Sequence, residues 1–223
     1  RVAAIIAIGF IGIRRNSELL LLLNNNISIE KDFAEIHVDQ SKNDKKGKGH
    51  NCIIPRIPKL AKACPVRIIQ LWMVFSKKFL EQKNINNEIQ FLFFNLAGKN
   101  IGGNLSLDTL RKSIATRYSK LDGKIPGAVL SLRKGGAAAY AEAGFRTTAN
   151  KQGGWKSGSM LDGIYAPISN LEISQATRIA FNKIIDAFLT KQALLSINQT
   201  VVDTKVAFKL DNKWLELLPS VES

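Results

Sequence analysis

Apolar residues fill positions 2 to 13 almost without a break and resume at Leu19 to Leu23, with Gly9 and Gly12 and then the polar Asn16-Ser17-Glu18 interrupting them. That order predicts a buried helix, a bend and a second helix. The pattern then shortens: Ile27, Ile29, Ile36, Val38, Ile53 and Ile54 sit in brief segments bounded by turn residues, which predicts a small antiparallel sheet. Residues 41–49 (SKNDKKGKG) are polar and basic and read as a charged hairpin within it. Beyond Pro55 and Pro58, Val66, Ile69, Leu71, Met73, Val74 and Leu80 recur at roughly helical spacing across 64–82, and Pro65 suits a first helical turn.

Residues 89–96 (IQFLFFNL) are aromatic and apolar and stop before Gly98; the pattern leaves open a buried strand or the wall of a core. Three further helices are expected over 106–121, 131–143 and 171–189, each bounded by Gly, Pro or Asn. In the last, Ile173, Ala176, Ile179, Ala180, Ile184, Ala187 and Phe188 form an apolar stripe of the kind that usually packs on its own core. Residues 192–223 mix Val, Phe and Leu with polar residues, compatible with a strand, an oligomerisation arm or an appended module. The expected class is mainly α with a small antiparallel β-sheet (α+β).

Composition narrows the partners. At 223 residues and 45% hydrophobic content the chain can bury a substantial core, as one domain or one domain with an appendage. Thirty-two Lys and Arg against eighteen Asp and Glu leave a formal charge of +14, which favours a polyanion, either nucleic acid or an anionic surface. The run at 2–13 is too short to span a bilayer and meets Arg14 and Arg15 at its end. Cys52 and Cys64 lack the paired spacing of a zinc site and build no disulfide framework, so a reducing, intracellular setting is expected. His37 reads as a strand residue and His50 as part of a basic loop, neither with a partner carboxylate or second metal-type ligand nearby in sequence. Gly98-Lys99 and Gly153-Gly154 lack the full phosphate-loop pattern, so ATP use is not indicated. The chain opens at Arg1 inside an apolar pattern, and a preceding region is expected.

Several segments carry groups that chemistry can use. In GIRRNSELL (12–20) Arg15 stands three residues before Glu18, the leucines behind can bury that helix, and a bend can aim a guanidinium outward. QSKND (40–44) puts Lys42 on the charged hairpin. SLRKGGA (131–137) sets Arg133 at the start of a small-residue helix able to approach a ligand closely, and GGWKS (153–157) and MLDGIY (160–165) bring Trp155 and Tyr165. In this order the segments resemble the signature of the tyrosine recombinases, the phage-integrase family, over roughly residues 1 to 167. Arg15 is similar to the family's first arginine, Lys42 to the lysine on the hairpin between its second and third strands, and Arg133 to its second arginine. Trp155 is similar to its His-or-Trp position and Tyr165 to its nucleophile. Leu130 stands where the His-x-x-Arg pattern has histidine and can neither donate nor accept a proton. The interval from Gly144 to Trp155 is one residue short of the family pattern and that from Trp155 to Tyr165 one residue long, so the two offsets cancel.

The resemblance implies a tyrosine recombinase catalytic-domain fold over residues 1–190, truncated at its N-terminal side, followed by a C-terminal extension over 191–223 of unassigned role. It implies strand cleavage and rejoining without metal or cofactor. Arg15 and Arg133 would clamp the charged non-bridging oxygens of a pentacoordinate phosphorus, as planar guanidiniums do bidentately. Tyr165 would attack to leave a 3′-phosphotyrosyl link, and Lys42 would protonate the departing 5′ oxygen. Trp155 would donate its indole N–H to a phosphate oxygen, and Glu18 would hold the first active-site helix. The implied partners are duplex DNA and further copies of the chain, a tetramer on DNA joined through the C-terminal helix, and no membrane. The implied location is wherever the DNA is, nucleus or bacterial nucleoid, in a mobile-element setting, with a slight likeness to the crypton type of eukaryotic element. Alternatives stay open: Lys45, Lys46 or Lys48 could be the reactive lysine, and the chain could be a degenerate recombinase that only binds DNA, or a basic RNA-binding protein. Tyr118 and Tyr140 read as packing residues.

Overall fold

The computed structural model describes residues 1–39, 49–85, 90–118, 130–154 and 170–198. Helix α1 (Val2–Ile11) is apolar on every side, and its Ala4, Ile5, Ala7, Ile8, Gly9 and Ile11 are buried. A helix without a polar face belongs inside a core, and α1 lies against three neighbours introduced below, the helices at 65–82 and 130–142 and the strand at 50–55. It ends where the Arg14 N–H turns back to the Gly9 carbonyl at 3.0 Å with Ile13 in the left-handed region at φ 54. This is a Schellman-type end in which a buried isoleucine occupies the position glycine usually takes, so the bend carries backbone strain. Helix α2 (Asn16–Leu21) follows.

A 3-10 turn (Asn24–Asn26) leads into β1 (Ile27–Ile29), β2 (Phe33–Val38) and β3 (His50–Pro55), which form an antiparallel sheet in the order β1-β2-β3. On β2, Ala34, Ile36 and Val38 point into the core and Phe33, Glu35 and His37 away from it, the period of two that the sequence shows. β3 instead buries Cys52, Ile53, Ile54 and Pro55 in succession, because helices cover its second face. Helix α3 (Pro65–Gln82) begins at Pro65 as expected and buries Val66, Ile69, Trp72, Ser76 and Leu80. Residues 91–96 are no strand. Two single bridges hold Phe91 and Phe94, the Leu92 N–H bonds the Leu22 carbonyl at 2.7 Å, and the Leu92 carbonyl accepts from the Trp72 indole at 2.7 Å. Phe93 and Phe94 stack around Trp72, so the segment is the wall of a core.

The remaining described α-helices are α4 (Leu107–Tyr118), α5 (Leu130–Glu142), α6 (Arg146–Gly153) and α7 (Asn170–Asn198). Four helices stand where three were expected. The extra one, α6, reads Arg-Thr-Thr-Ala-Asn-Lys-Gln-Gly and has no apolar period to announce it; Ala149 and Gln152 are nevertheless buried by its neighbours. Helix α7 runs nine residues past the expected end at 189, so the expected limit at residue 190 falls inside a helix. Its buried face is also rotated from the expected stripe: Ser174, Thr177, Ala180 and Phe181 are buried, whereas Ile179 is 51% exposed. The architecture is mainly helical around a small antiparallel sheet. Among the described residues no helix is long and apolar enough to cross a membrane.

The glycine pair of α5 serves helix packing. A Cβ on Gly136 would overlap the Phe10 carbonyl oxygen, and one on Gly135 would come within 3.2 Å of the Phe10 ring. The small residues after Arg133 therefore let α5 reach the α1 backbone.

Candidate functional site

The strained bend at Ile13 sends two successive arginines to different places. Arg14 turns inward and is fully buried, while Arg15 stays at the surface with 28% of its side chain exposed. Both reach Glu18 from the start of α2. Glu18 accepts the Arg15 backbone N–H at 2.9 Å, as a capping carboxylate does, and accepts the Arg15 guanidinium on its other oxygen, also at 2.9 Å. Arg14 Nη1 lies 3.7 Å from Glu18 Oε2.

A third guanidinium arrives from the far end of the chain. Arg133, on the second turn of α5, lies 3.8 Å from Glu18 Oε2 and donates to the Ile13 carbonyl at 2.8 Å and the Gly153 carbonyl at 3.1 Å. Among the described residues one buried carboxylate thus holds three arginines, a net positive charge over these four side chains. Burial, with Arg15 and Arg14 nearby, lowers the Arg133 pKa to about 10 against the opposing pull of Glu18, which leaves it charged at neutral pH. Arg14 donates through Nε to the Gly12 carbonyl at 2.6 Å, and its Nη1 meets His50 Nε2, but its buried Nη2 has no hydrogen-bond partner among the described residues. A buried guanidinium N–H left unpaired is costly.

His50 is the first residue of β3 and therefore no loop residue. Its ring abuts Gly154, where a Cβ would lie 2.7 Å from His50 Nε2, and Gly154 itself is left-handed at φ 61. Glycine is what lets the chain leave α6 past this imidazole. Burial, with Arg14 next in importance and Glu18 opposing, lowers the His50 pKa to about 4, so the ring is neutral at pH 7. The end of α6 is fixed from below by Gln152, whose side chain accepts the Ile53 N–H at 2.9 Å and donates to the Ile53 carbonyl and to Thr177 Oγ1 of α7.

Of the five residues expected to form a catalytic set, Arg15 and Arg133 are brought together on Glu18. Lys42, Trp155 and Tyr165 lie outside the described residues, as do Lys45, Lys46 and Lys48. Leu130 opens α5 as its first residue. Tyr140 is a packing residue as read from its spacing: it is buried against Phe181, its hydroxyl donates to the Ile11 carbonyl at 3.0 Å, and burial holds its pKa above the ordinary phenol value. Sequence reasoning missed Arg14 and His50. Arg14 stands out in the sequence only as a charge where the apolar run ends, and the pairing that carries His50 to it joins β3 to a helix bend with no trace in local pattern. Among the described residues no group of three His, Cys, Asp or Glu side chains converges as a metal site would. Comparison with family models, with curated proteins and with solved structures finds no match to this chain.

Proposed function

We propose that this chain has the catalytic-domain fold of a tyrosine recombinase and cuts and rejoins duplex DNA through a phosphotyrosyl link to Tyr165. The observation that most supports this reading is the convergence of Arg15 and Arg133 on the two oxygens of Glu18, at 2.9 and 3.8 Å. A single carboxylate aligns two cations while leaving positive charge for a phosphate, and a prearranged pair of guanidiniums stabilises the charge that develops at phosphorus in the transition state. The mainly helical class with a three-stranded antiparallel sheet is the one the resemblance implies, and the +14 charge suits a polyanionic partner.

In this reading the Tyr165 phenolic oxygen gives up its proton to solvent water as it forms a bond to phosphorus, the bond to the 5′ oxygen breaks, and Lys42 supplies the proton that oxygen takes. Trp155 donates to a phosphate oxygen. Reversal by a 5′ hydroxyl rejoins the strand, because the phosphotyrosyl ester retains the energy of the broken bond. The chain acts as a tetramer on DNA, with α7 docking on a neighbouring copy; Leu171 and Ile179, 48% and 51% exposed, supply apolar surface for that contact.

Leu130 favours a second reading, a recombinase-derived protein that binds DNA without cutting it, because an aliphatic side chain moves no proton. The deciding experiment incubates the protein and its Tyr165→Phe variant with a library of nicked suicide duplexes in EDTA, followed by denaturing electrophoresis. A protein–DNA adduct that requires Tyr165 supports strand cleavage. Salt-sensitive duplex binding without any adduct supports the binding-only reading.

A further inference from the structure

We propose that His50 is a phosphate-binding residue of this site, an imidazole whose Nε2 accepts from Arg14 and whose Nδ1–H is offered to a DNA phosphate beside the Arg15–Arg133 pair. The inference rests on reading the Arg15–Arg133 pair as a phosphate clamp.

A guanidinium has only donors, so the ring nitrogen that meets Arg14 Nη1 must present its lone pair. That assigns the ring proton to Nδ1. Protonating Nε2 as well would set donor against donor and bring a fourth positive charge beside Arg14 and Arg133. Described residues give His50 no other hydrogen bond, so Nδ1–H stands as an unused donor on a half-buried ring. Its surroundings point to an anion. Among the described residues three arginines share the Glu18 carboxylate, and Arg14 Nη2, on a fully buried side chain, is a second donor without a partner there. Gly154 packs against the ring at the C-terminal end of α6, whose Gly153 carbonyl is a partner of Arg133, so the imidazole and the clamp share one wall. His37, by contrast, is exposed on β2 and has its ring nitrogens engaged by Asn51 and Asp39.

The full chain contains only these two histidines, so imidazole nitrogen NMR reads each one separately. In the free protein His50 is expected as the Nδ1–H tautomer. Inorganic phosphate, and then a short mixed-sequence duplex, should shift its Nδ1 signal and leave His37 unmoved, and Arg133→Lys should weaken that response. His50→Gln should lower duplex affinity about tenfold, the loss of one hydrogen bond to a charged group, and His50→Asn should behave alike if the variants fold. An Nε2–H tautomer, or an Nδ1 signal indifferent to both probes in protein that binds duplex, overturns the proposal. So does a Tyr165 adduct formed at the unaltered rate by His50→Gln, which would leave the recombinase reading intact. A phosphate-responsive His50 in protein that never forms an adduct supports the proposal and removes strand cleavage instead.

Discussion

Gln152 stands against Ile53 as a strand would, its carboxamide taking the Ile53 N–H at 2.9 Å and giving an N–H to the Ile53 carbonyl. Among the described residues β3 is one of the two edge strands of the sheet, and a buried edge must find partners for its backbone groups. Gln152 supplies them from the last turn of α6 and, through Thr177, ties the same point to α7. Gln152→Leu would bury an unpaired donor and an unpaired acceptor, and unfolding by urea should show a loss of about 3 kcal/mol. A change below about 1 kcal/mol would mean that water replaces the carboxamide at this edge.

Glu18 is the common anion of Arg14, Arg15 and Arg133. Glu18→Gln keeps the shape and the capping oxygen but removes the charge, leaving a fully buried guanidinium without its counter-ion. The expected cost is about 3 kcal/mol in denaturant unfolding; under the proposed strand cleavage, adduct formation should also fall more than duplex binding, because the arginines lose alignment more than charge.

Gly136→Ala should destabilise by about 2 kcal/mol or more, since the new methyl would overlap the Phe10 carbonyl and a helix backbone cannot yield as a side-chain tip can. Gly135→Ala meets only the Phe10 ring at 3.2 Å and should cost less. Equal midpoints for the two variants in the same urea series would sink the account of α1–α5 packing.

Gly154→Ala adds a left-handed penalty at φ 61 to a collision with the His50 ring at 2.7 Å and should cost about 2 kcal/mol. Gly98, at φ 87 with no described residue within 4 Å of a Cβ, is the control: Gly98→Ala should show the conformational penalty alone, about 1 kcal/mol. Thermal unfolding of the two variants side by side separates strain from collision.

His50 also sets a pH dependence. Its pKa falls from 6.5 to about 4 on folding, through burial first and Arg14 second. Between those values the unfolded chain binds a proton that the folded one refuses, so this contribution to stability is full above about 6.5 and is lost as pH falls toward about 4. Melting temperatures measured from pH 7 to 4 should decline more gently in His50→Gln than in the parent. Parallel curves would show that the imidazole keeps an ordinary pKa.

Much of the framework is legible along the chain. Pro65 and the spacing of Val66, Ile69 and Leu80 place α3, and alternation on Ala34, Ile36 and Val38 places β2. The Gly12–Ile13 bend follows from where the apolar run of α1 meets Arg14. On the side of the site, the Arg15–Glu18 pair is local to one helical turn and can be read directly. Arg133 is legible only through its likeness to a motif, and its seat on the Ile13 and Gly153 carbonyls is not.

By itself, then, the sequence determined which stretches are helix or strand wherever burial repeats with a helical or strand period, and it determined the strong positive charge. Tertiary structure alone decided that α6 is a helix, that Ile179 faces outward, that Arg14 is buried against His50, and that Gln152 closes the edge of β3. The physical reason is one of range. Apolar periodicity records which face of an element is covered and repeats within a few residues. A polar side chain takes whichever partner folding brings within about 3 Å of it, and here those partners come from segments remote in the chain.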